Sequence, residues 1–347
     1  MKTVKCFLLL LLSITISCNN DTDDLSTTNN SVLSNITNDV KNLVPCEFDF
    51  SIYSSNDEIL INCNYDLNGQ TITFPENITL KYDGGLLTNG TIILNGGHID
   101  GKLLNIDLEV EGSARLISTD FVFEKEKWNI TEGQVSDEIA LTNRENLNKA
   151  ISLVKSLRGY EFQINDLDAY FQVRAQRDNG NYIVTIHHVH PSSIRIPSNF
   201  HLKMAEETHL RVQPNNTPHY ALLTLYNVDN SIVSGGNLTG DRYTHQYISG
   251  TGANTHEWGH LIYFVGAHNS VIDGVNIKEG TGDGIEIRGT EHRNNDGSLK
   301  SHGRETYNVT IKNCIIDDNR RDNISVTDGT NIFIEYNTIL NAGSGDS

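Results

Sequence analysis

The sequence predicts an all-β fold, a right-handed parallel β-helix in which short strands stack into a solenoid, and three observations support this prediction. Short segments of alternating apolar and polar residues follow one another from about residue 194 to residue 347. Turns rich in asparagine, glycine and aspartate separate them, at a period in the low twenties. Strands this short cannot bury their apolar sides alone, so a repeat of three strands per coil indicates that each coil covers the next.

The repeats can be aligned on four asparagines. Copies of the strand–turn–strand pattern begin near residues 221, 261, 285 and 324, and their asparagines fall at one turn: Asn230, Asn269, Asn308 and Asn331. Stacked asparagines hydrogen-bond from coil to coil, so we expect a structural ladder at this turn. Segments 71–80, 90–94 and 98–101 predict narrower coils nearer the N-terminus.

Four regions follow from this reading. Residues 1–17 predict an export signal, with a basic start and an apolar run too short to span a membrane. Residues 18–45 are rich in Ser, Thr, Asn and Asp and predict a flexible tether. Residues 46–125 predict an N-terminal β-rich part of the solenoid. Residues 126–347 predict the main β-helix, with a capping helix near 143–158.

The capping helix is predicted from its start signal and its apolar face. Thr142 and Glu145 have the spacing of a capping box. Four apolar residues then mark one helical face, at Leu147, Ile151, Val154 and Leu157, and Gly159 fits the stop. We expect this helix to shield the open end of the solenoid. The sequence ends directly after a turn, so a truncated end or a missing following segment is also expected.

The five cysteines suit an exported protein. Ile-Thr-Ile-Ser-Cys18 resembles a bacterial lipoprotein processing site, which implies that Cys18 is lipidated. The acidic stretch that follows resembles the surface-export signal of Bacteroidetes lipoproteins, which implies an outer-membrane protein at the cell surface. The alternative is an ordinary secretory signal. Cys46 and Cys63 either form a disulfide or remain two thiols, and Cys314 is expected to be a small buried residue.

The net charge of −18 argues against nucleic acid and anionic membranes as partners. It lowers the expectation of an acidic polysaccharide without excluding one, because a basic cleft can outweigh the overall field. We expect a monomer.

The segment from His256 to His260 reads HEWGH, which on a helix would form a zinc-protease motif. A glycine-rich stretch precedes it and the strand-like run 261–265 follows it, so the sequence predicts a loop that meets a strand. The two histidines then share no helical face, and no metal site is predicted.

Two insertions interrupt the period, at about 242–259 and 289–307. The first carries aromatic and ionisable groups that suit the apolar faces and polar rims of sugars: Tyr243, His245, Tyr247, His256, Glu257 and Trp258. The alternative is a loop that is packed only for structure.

Four aspartates are expected at one turn of successive coils: Asp241, Asp283, Asp322 and Asp346. Neighbours would be roughly 5 Å apart, because parallel strands are spaced by about 4.8 Å. Glycosidases use carboxyl pairs at such spacings, and like charges raise one pKa. Arg320 and Arg321 would lie beside this row and could bind a substrate carboxylate or sulfate. The alternative is ordinary turn chemistry.

The coil pattern from about residue 194 resembles the pectate-lyase-like superfamily of right-handed parallel β-helix proteins, which includes polysaccharide lyases and polygalacturonase-like hydrolases. Gly282-Asp283-Gly284-Ile285 looks like the Gly-Asp-Asp-x-Ile segment of polygalacturonases. Asp283 matches the first aspartate of that segment, whereas Gly284 replaces the second. No set of calcium-binding aspartates like that of pectate lyases is evident.

Three functions remain open at this point. The first is a surface lipoprotein that hydrolyses a polysaccharide with Asp283 and Asp322 as the acid/base pair. Other residues would shape the cleft or bind sugar: Asp241, Tyr243, His245, His256, Glu257, Trp258, Arg320 and Arg321. The second is a lyase in which His256 or Tyr243 is the base, Arg321 neutralises a uronate and Ca²⁺ is a possible cofactor. The third is a glycan-binding solenoid without catalysis.

Overall fold

The structure is a computed structural model that describes residues 46–175, 186–247, 256–290 and 303–343. These residues belong to one unit that begins at Cys46. Their strands form six sheets, and each strand pairs in parallel with the equivalent strands of the coils before and after it. This pairing is the parallel β-helix arrangement that the sequence predicts. No helix in the described ranges has the length and apolar character of a membrane-spanning segment.

The N-terminal coils contain three small sheets. The sheet orders are β1-β4-β7-β9, β3-β6-β8 and β2-β5. The strands are β1 (Glu58–Ile61), β2 (Tyr65–Asp66), β3 (Thr71–Thr73), β4 (Thr79–Tyr82), β5 (Leu87–Thr88), β6 (Gly90–Leu94), β7 (His98–Ile99), β8 (Leu108–Gly112) and β9 (Arg115–Leu116). A disulfide joins Cys46 to Cys63 at the start of this region. Of the two states left open by the sequence, the bridge is the one present.

The main coils contain three longer sheets. A seven-stranded sheet consists of β10 (Asp120–Phe123), β11 (Glu161–Ile164), β14 (Phe200–Met204), β17 (Ser231–Ser234), β20 (His268–Asp273), β23 (Thr306–Lys312) and β26 (Gly329–Glu335). A six-stranded sheet consists of β12 (Leu167–Phe171), β15 (Thr208–Val212), β18 (Asn237–Thr239), β21 (Asn276–Lys278), β24 (Ile315–Asp317) and β27 (Thr338–Leu340). A five-stranded sheet consists of β13 (Ile194–Arg195), β16 (His219–Tyr226), β19 (Trp258–Val265), β22 (Ile285–Arg288) and β25 (Ile324–Val326).

The core lies between these sheets and is built from aligned aliphatic side chains. Ile194, Leu223, Ile262 and Ile285 occupy one register position of the five-stranded sheet, and all four are fully buried. Each such side chain contributes about 1.5–3 kcal/mol relative to an exposed one. Stacking between coils therefore supplies the burial that a single strand lacks. Cys314 is a buried free thiol, as expected.

The helix α1 (Asp137–Ser156) begins earlier than the sequence predicts. Its N-cap is Ser136, whose Oγ accepts a hydrogen bond from the Ile139 amide, so the predicted start at Thr142 is wrong. Thr142 instead donates its hydroxyl proton to the Glu138 carbonyl one turn earlier. The first turn of the helix lacks the apolar periodicity on which the prediction relied, and the cap alone marks its start.

The helix α1 packs between the N-terminal coils and the main coils. On one side, Lys149 Nζ donates to the Ile106 carbonyl at 2.9 Å. On the other, Asn148 Nδ2 donates to the Ser193 carbonyl at 2.9 Å, and Asn148 Oδ1 accepts from the Arg195 amide at 2.9 Å. The helix covers β12 and β13, the first strands of the six-stranded and five-stranded sheets, as a capping helix should. The end that it covers is not open, because the N-terminal coils lie on its other side.

The asparagine ladder is present at the expected turn. Asn230, Asn269, Asn308 and Asn331 all have φ between 50° and 55°. Asn308 Nδ2 donates to Asn269 Oδ1 at 2.8 Å, and Asn230 makes the same bond to Asn199 of the preceding coil. Asparagine is selected at this turn because it tolerates the left-handed conformation and also has an amide to share between coils.

The outer face of the five-stranded sheet is partly covered, which distinguishes it from the other sheets. The strands β16 and β19 are buried on both faces. Ala175, Ile186 and Val189 pack there against Ala221, Tyr263 and Val265. Ile186 and Val189 belong to the short helix α2 (Ile186–Val189), which precedes a 3₁₀ turn at His190–Ser192. His260 and Glu286, which pair in the register with Ala221 and Tyr263 of this cluster, are both buried.

Candidate active site

The register of the five-stranded sheet aligns ionisable residues on its outer side. Ile262, Ile285 and Ile324 are paired across the strands β19, β22 and β25. His260, Asp283 and Asp322 each lie two residues before these isoleucines, so they form one row. Tyr263, Glu286 and Ser325 each lie one residue after them and form a second row. Adjacent members of a row are about 4.8 Å apart along the solenoid.

Asp283 is the most perturbed carboxyl group of the site. Its side chain is fully buried, and burial raises its pKa to about 7. The Arg321 guanidinium opposes this rise, with its Nε 3.6 Å from Asp283 Oδ1, whereas neighbouring Glu286 adds to it. The Asp322 amide donates to Oδ1 at 3.2 Å. Asp283 therefore holds a proton up to near-neutral pH, as a general acid must.

His260 touches Asp283 without forming an ion pair. Its Nδ1 lies 3.6 Å from Asp283 Oδ2 and accepts a hydrogen bond from the Asp283 amide at 3.2 Å. Burial, together with the nearby Arg321 guanidinium, lowers the pKa of His260 to about 3. A neutral imidazole that accepts at Nδ1 carries its proton on Nε2. His260 thus fixes the backbone of Asp283 and gives its carboxylate no compensating charge.

Glu286 is the second buried carboxyl group of the site. Burial raises its pKa, while Thr327 Oγ1 donates to its Oε1 at 2.9 Å and partly offsets that rise. Glu286 Oε2 and Asp283 Oδ2 accept no hydrogen bond within the described residues. Two adjacent buried carboxyls cannot both be ionised at low cost, so this pair retains one proton.

Asp322 and Arg321 are the more exposed groups that contact Asp283. The Asp322 side chain is 53% exposed, and the Arg321 side chain is 32% exposed. Arg321 Nε lies 3.6 Å from Asp322 Oδ2, which also accepts from Ser325 Oγ at 3.2 Å. The site therefore combines a buried acid, an accessible carboxylate and a cation between them.

An aromatic surface adjoins these charges. The ring of Trp258 is partly exposed, and His219 stacks on it with centroids 5.5 Å apart and planes inclined by 7°. The Arg321 guanidinium lies over the same indole at 5.6 Å. Burial lowers the pKa of His219 to about 4, so this imidazole is neutral near pH 7. An indole beside a cation and a carboxylate is suited to the apolar face and polar rim of a sugar ring.

Asp241 lies in the turn between the six-stranded and the five-stranded sheet, as Asp283 does and as the sequence predicts, but it is not a member of the row of Asp283. The register of the six-stranded sheet places Asp241 opposite Gly280 and Asn319. Its buried carboxylate accepts hydrogen bonds from Tyr220 (2.5 Å), from His245 Nδ1 (2.8 Å) and from the amides of Asn215 (3.0 Å). Both carboxylate oxygens of Asp241 therefore accept hydrogen bonds from the protein itself.

His245 and His256 continue this hydrogen-bond network. His245 Nε2 lies 2.8 Å from His256 Nδ1, and His245 is buried. The carboxylate of Asp241 sets the His245 tautomer, since Nδ1–H must donate to it. His256 is buried with φ +52°, and Glu257 follows it as a partly buried residue. The strand β19 begins at Trp258, so no helix carries HEWGH and the two histidines of that motif share no helical face.

Two other predicted binding residues are tied to the protein itself. The Tyr243 hydroxyl donates to Asp318 Oδ2 at 2.7 Å, although the ring is exposed, and this bond raises the pKa of Tyr243. Arg320 Nη1 donates to the carbonyls of His256 (3.2 Å) and Thr281 (3.3 Å), and its guanidinium lies 4.8 Å from the centroid of the Tyr247 ring. Binding roles for Tyr243 and Arg320 stay predictions.

Gly284 occupies a position where an aspartate does not fit. A Cβ there would lie 2.7 Å from Asn319 Nδ2 and 2.8 Å from the Asn323 carbonyl oxygen. The second aspartate of the polygalacturonase-like segment is thus excluded by packing in this chain. Glu286, two residues further along, is the carboxyl group that accompanies Asp283. The sequence signal that could have identified Glu286 is its position between Ile285 and Ile287, because alternation in a strand directs Glu286 away from the core.

The remaining predictions concern other parts of the chain. Asp346 and Cys18 lie outside the described residues. Across the described ranges, no group of three or more His, Cys, Asp or Glu side chains is arranged to hold a metal ion. Ca²⁺ stays the expectation attached to the lyase alternative.

Comparison with known proteins supports the fold of the main coils. Residues 184–346 match the family model described as "Right handed beta helix region". The chain contains a right-handed β-helix. The predicted fold class, an all-β right-handed parallel β-helix with a short helix, is confirmed by this match together with the parallel sheets and α1. All residues of the site described above lie within the matched segment.

Two curated relatives come from Bacillus subtilis (strain 168). The chain is 33% identical over 155 residues to "Uncharacterized protein YclG", and this alignment covers 45% of this chain and 26% of the relative. It is 32% identical over 176 residues to "SPbeta prophage-derived uncharacterized protein YorA", covering 48% of this chain and 29% of the relative. The alignments thus span less than a third of either relative. No solved structure matches the chain.

Proposed function

We propose that this protein cleaves a glycosidic bond in a polysaccharide at the outer face of the five-stranded sheet. The observation that carries the proposal is the state of Asp283. Its carboxyl is buried beside Glu286, and burial raises the pKa of Asp283 to about 7. Structural aspartates at turns are ordinarily exposed or hydrogen-bonded at both oxygens, whereas Asp283 Oδ2 accepts no bond from the described residues. Perturbed groups of this kind cluster at functional sites.

In the hydrolytic reaction, Asp283 donates its proton to the glycosidic oxygen as the bond to the anomeric carbon breaks. The Asp322 carboxylate attacks that carbon from the neighbouring strand, and water then releases the sugar after Asp283 removes its proton. Side chains at one register position of adjacent strands are about 5 Å apart, which fits the roughly 5–5.5 Å of retaining glycosidases. Glu286 would keep the pKa of Asp283 high.

The exposed groups give the substrate its approach to Asp283. Because the Asp283 side chain is buried, the proposal requires the partly exposed Arg321 side chain to move when a sugar binds. Trp258 would then stack on the sugar ring, and Arg321 would bind a hydroxyl or acidic group at its rim.

A lyase reaction is the second candidate. The raised pKa of Asp283 favours a version in which Asp283 is the base that removes the proton. A carboxylate with a pKa of about 7 is a stronger base than an ordinary one, and Arg321 is positioned to neutralise a uronate. Tyr243 is less suited to be the base, because its hydrogen bond to Asp318 raises its pKa. Binding without catalysis remains the third outcome of the test.

The test is a panel of plant and algal polysaccharides incubated with the full chain, with and without Ca²⁺. New reducing ends are measured together with the ultraviolet absorbance of unsaturated uronates. Reducing ends alone support hydrolysis, and absorbance supports the lyase. Asp283→Asn should lower either rate at least about 100-fold, as loss of a general acid or base does. The matched control is Asp317→Asn, which changes a partly exposed carboxylate of the six-stranded sheet.

Two results would count against the proposal. Full activity of Asp283→Asn would remove Asp283 from the mechanism. Glycan binding by the folded wild-type protein, without either product on any substrate, would favour a binding solenoid.

We also propose that the protein is exported and anchored by lipid at Cys18. The Cys46–Cys63 disulfide supports export, since such bridges persist in oxidising compartments. Incorporation of labelled fatty acid into the wild-type protein but not into Cys18→Ser would support lipidation. Equal labelling of both proteins would exclude Cys18 as the anchor. Surface exposure is tested separately, by the accessibility of the protein to protease on intact cells.

A further inference from the structure

A second group of reactive side chains lies on the outer face of a different sheet, the seven-stranded one. Glu161 of β11, His201 of β14 and Ser234 of β17 come from three successive coils. His201 Nδ1 lies 3.1 Å from Glu161 Oε2, and His201 Nε2 lies 2.7 Å from Ser234 Oγ. The side chains of Glu161 and His201 are 17% and 16% exposed, and Ser234 is partly exposed. The three groups are therefore accessible to solvent.

The hydrogen bonds around Glu161 fix the protonation of the whole group. Glu161 Oε1 accepts from Gln163 Nε2 at 2.6 Å and from Lys203 Nζ at 2.9 Å. Burial raises the pKa of Glu161, but these donors outweigh it and hold that pKa below its ordinary value. Glu161 is thus a carboxylate that requires the proton of His201 on Nδ1.

His201 Nε2 is then an acceptor that faces the Ser234 hydroxyl. Burial lowers the pKa of His201 even though Glu161 raises it, so the imidazole is neutral near pH 7. A neutral imidazole oriented by a carboxylate and bonded to a hydroxyl is the arrangement that activates serine nucleophiles on unrelated folds.

We propose that Glu161, His201 and Ser234 form a catalytic triad that hydrolyses carboxylic esters. His201 Nε2 takes the hydroxyl proton as Ser234 Oγ bonds to the acyl carbon. The tetrahedral adduct collapses, the bond to the leaving alkoxy oxygen breaks, and His201 gives that oxygen the proton. Water, deprotonated by His201, then attacks the acyl-serine and releases the carboxylic acid and free Ser234. The net reaction is ester plus water to alcohol plus acid.

The neighbours of Ser234 indicate the class of ester. Ser234 pairs with Lys203 of β14 on one side and with Asp273 of β20 on the other. Lys203 Nζ donates to Glu161 in this structure, so the reaction requires this flexible side chain to turn from Glu161 towards the adduct oxyanion. Ile232 pairs with His201 and offers a partly buried apolar side chain. A sheet face has no deep cavity, so it suits a short acyl group carried on a large molecule, such as an acetyl ester on a polymer.

The first experiment treats the folded full-length protein with a fluorophosphonate, which reacts with activated serines, and maps the modified residue by peptide mass spectrometry. We expect one phosphonyl group on Ser234. Modification confined to other residues, or none at all, would overturn the proposal. This result needs no variant, so it stands even if a substitution prevents folding.

The second experiment measures hydrolysis of 4-nitrophenyl acetate and release of acetate from an O-acetylated polysaccharide. Ser234→Ala should abolish both, and Glu161→Gln should lower the rate at least about 100-fold while leaving Ser234 in place. Ser118→Ala changes an exposed serine at a turn and should leave both rates unchanged. Ester hydrolysis that persists in Ser234→Ala would refute the triad. Neither experiment depends on whether the chain cleaves a glycosidic bond.

Discussion

Asp283→Asn should make the folded protein more stable at alkaline pH, although it removes the proposed general acid. In the unfolded chain this carboxyl has its ordinary pKa of 3.8, and in the folded chain burial raises the pKa to about 7. Between these values the folded state holds a proton that the unfolded state releases. The contribution of Asp283 to stability is therefore complete below about pH 4 and is lost as the pH rises through about 7.

The magnitude follows from the change in proton affinity. A rise in the pKa of Asp283 from 3.8 to about 7 corresponds to about 4 kcal/mol of unfolding free energy, because each pKa unit is worth about 1.4 kcal/mol. This is an upper value, because the proton is shared with Glu286 and because Arg321 loses a partner in the variant. We expect about 2 kcal/mol of stabilisation at pH 8 and a difference near zero at pH 4.

The assay is urea unfolding of both proteins at several values between pH 4 and pH 8.5, followed by tryptophan fluorescence. The quantity of interest is the difference between the two unfolding free energies as a function of pH. A difference that rises with pH supports the buried acid. A difference that stays constant within about 0.5 kcal/mol over this range would refute it, because a carboxyl with equal pKa values in both states produces no slope.

Three further predictions concern the scaffold and use the same unfolding assay. Gly284→Asp should destabilise the fold by about 1–3 kcal/mol or more, because its Cβ would meet Asn319; unchanged stability would show that the turn can open. Replacing Cys46 and Cys63 with serine should cost about 3 kcal/mol, since the bridge closes a loop with a sequence separation of 17; equal stability of oxidised and reduced protein would contradict this. Asn308→Ala should lower the unfolding free energy by about 1–2 kcal/mol, and Asn308→Gly by less, because glycine tolerates the left-handed φ of +53°. Equal losses in the two variants would assign the effect to the ladder hydrogen bond alone.

The two candidate sites place different chemistry on different sheets. Around Asp283, burial and a second carboxyl retain a proton, which suits acid catalysis. Around Ser234, a carboxylate that is ionised by its hydrogen bonds orients a neutral histidine, which suits nucleophilic catalysis. The contrast depends on cover, because Ala175, Ile186 and Val189 pack against the outer face of the five-stranded sheet, whereas the side chains of Glu161 and His201 are partly exposed.

The sequence by itself determined the repeating architecture. Alternation and turn residues act over a few positions, so the strands, the asparagine ladder and the absence of a helix at HEWGH all follow from local preferences. The start of α1 was missed because its first turn lacks apolar periodicity. Asp283 and Asp322 were correctly placed in one row, since both follow the same strand pattern at an equal offset.

Only the tertiary structure decided what the ionisable residues do. Asp241 looked equivalent to Asp283 in the repeat, but the strand register places it outside the row of His260, Asp283 and Asp322. Its carboxylate is hydrogen-bonded to Tyr220, Asn215 and His245 instead. Glu286 became the partner of Asp283 because the fold buries both carboxyls side by side at the start of β22. Glu161, His201 and Ser234 are separated by more than thirty residues each, and they meet because one coil of the solenoid returns the chain to the same face. A local pattern fixes strands, whereas pKa values and hydrogen-bond partners depend on which distant groups the coils bring together.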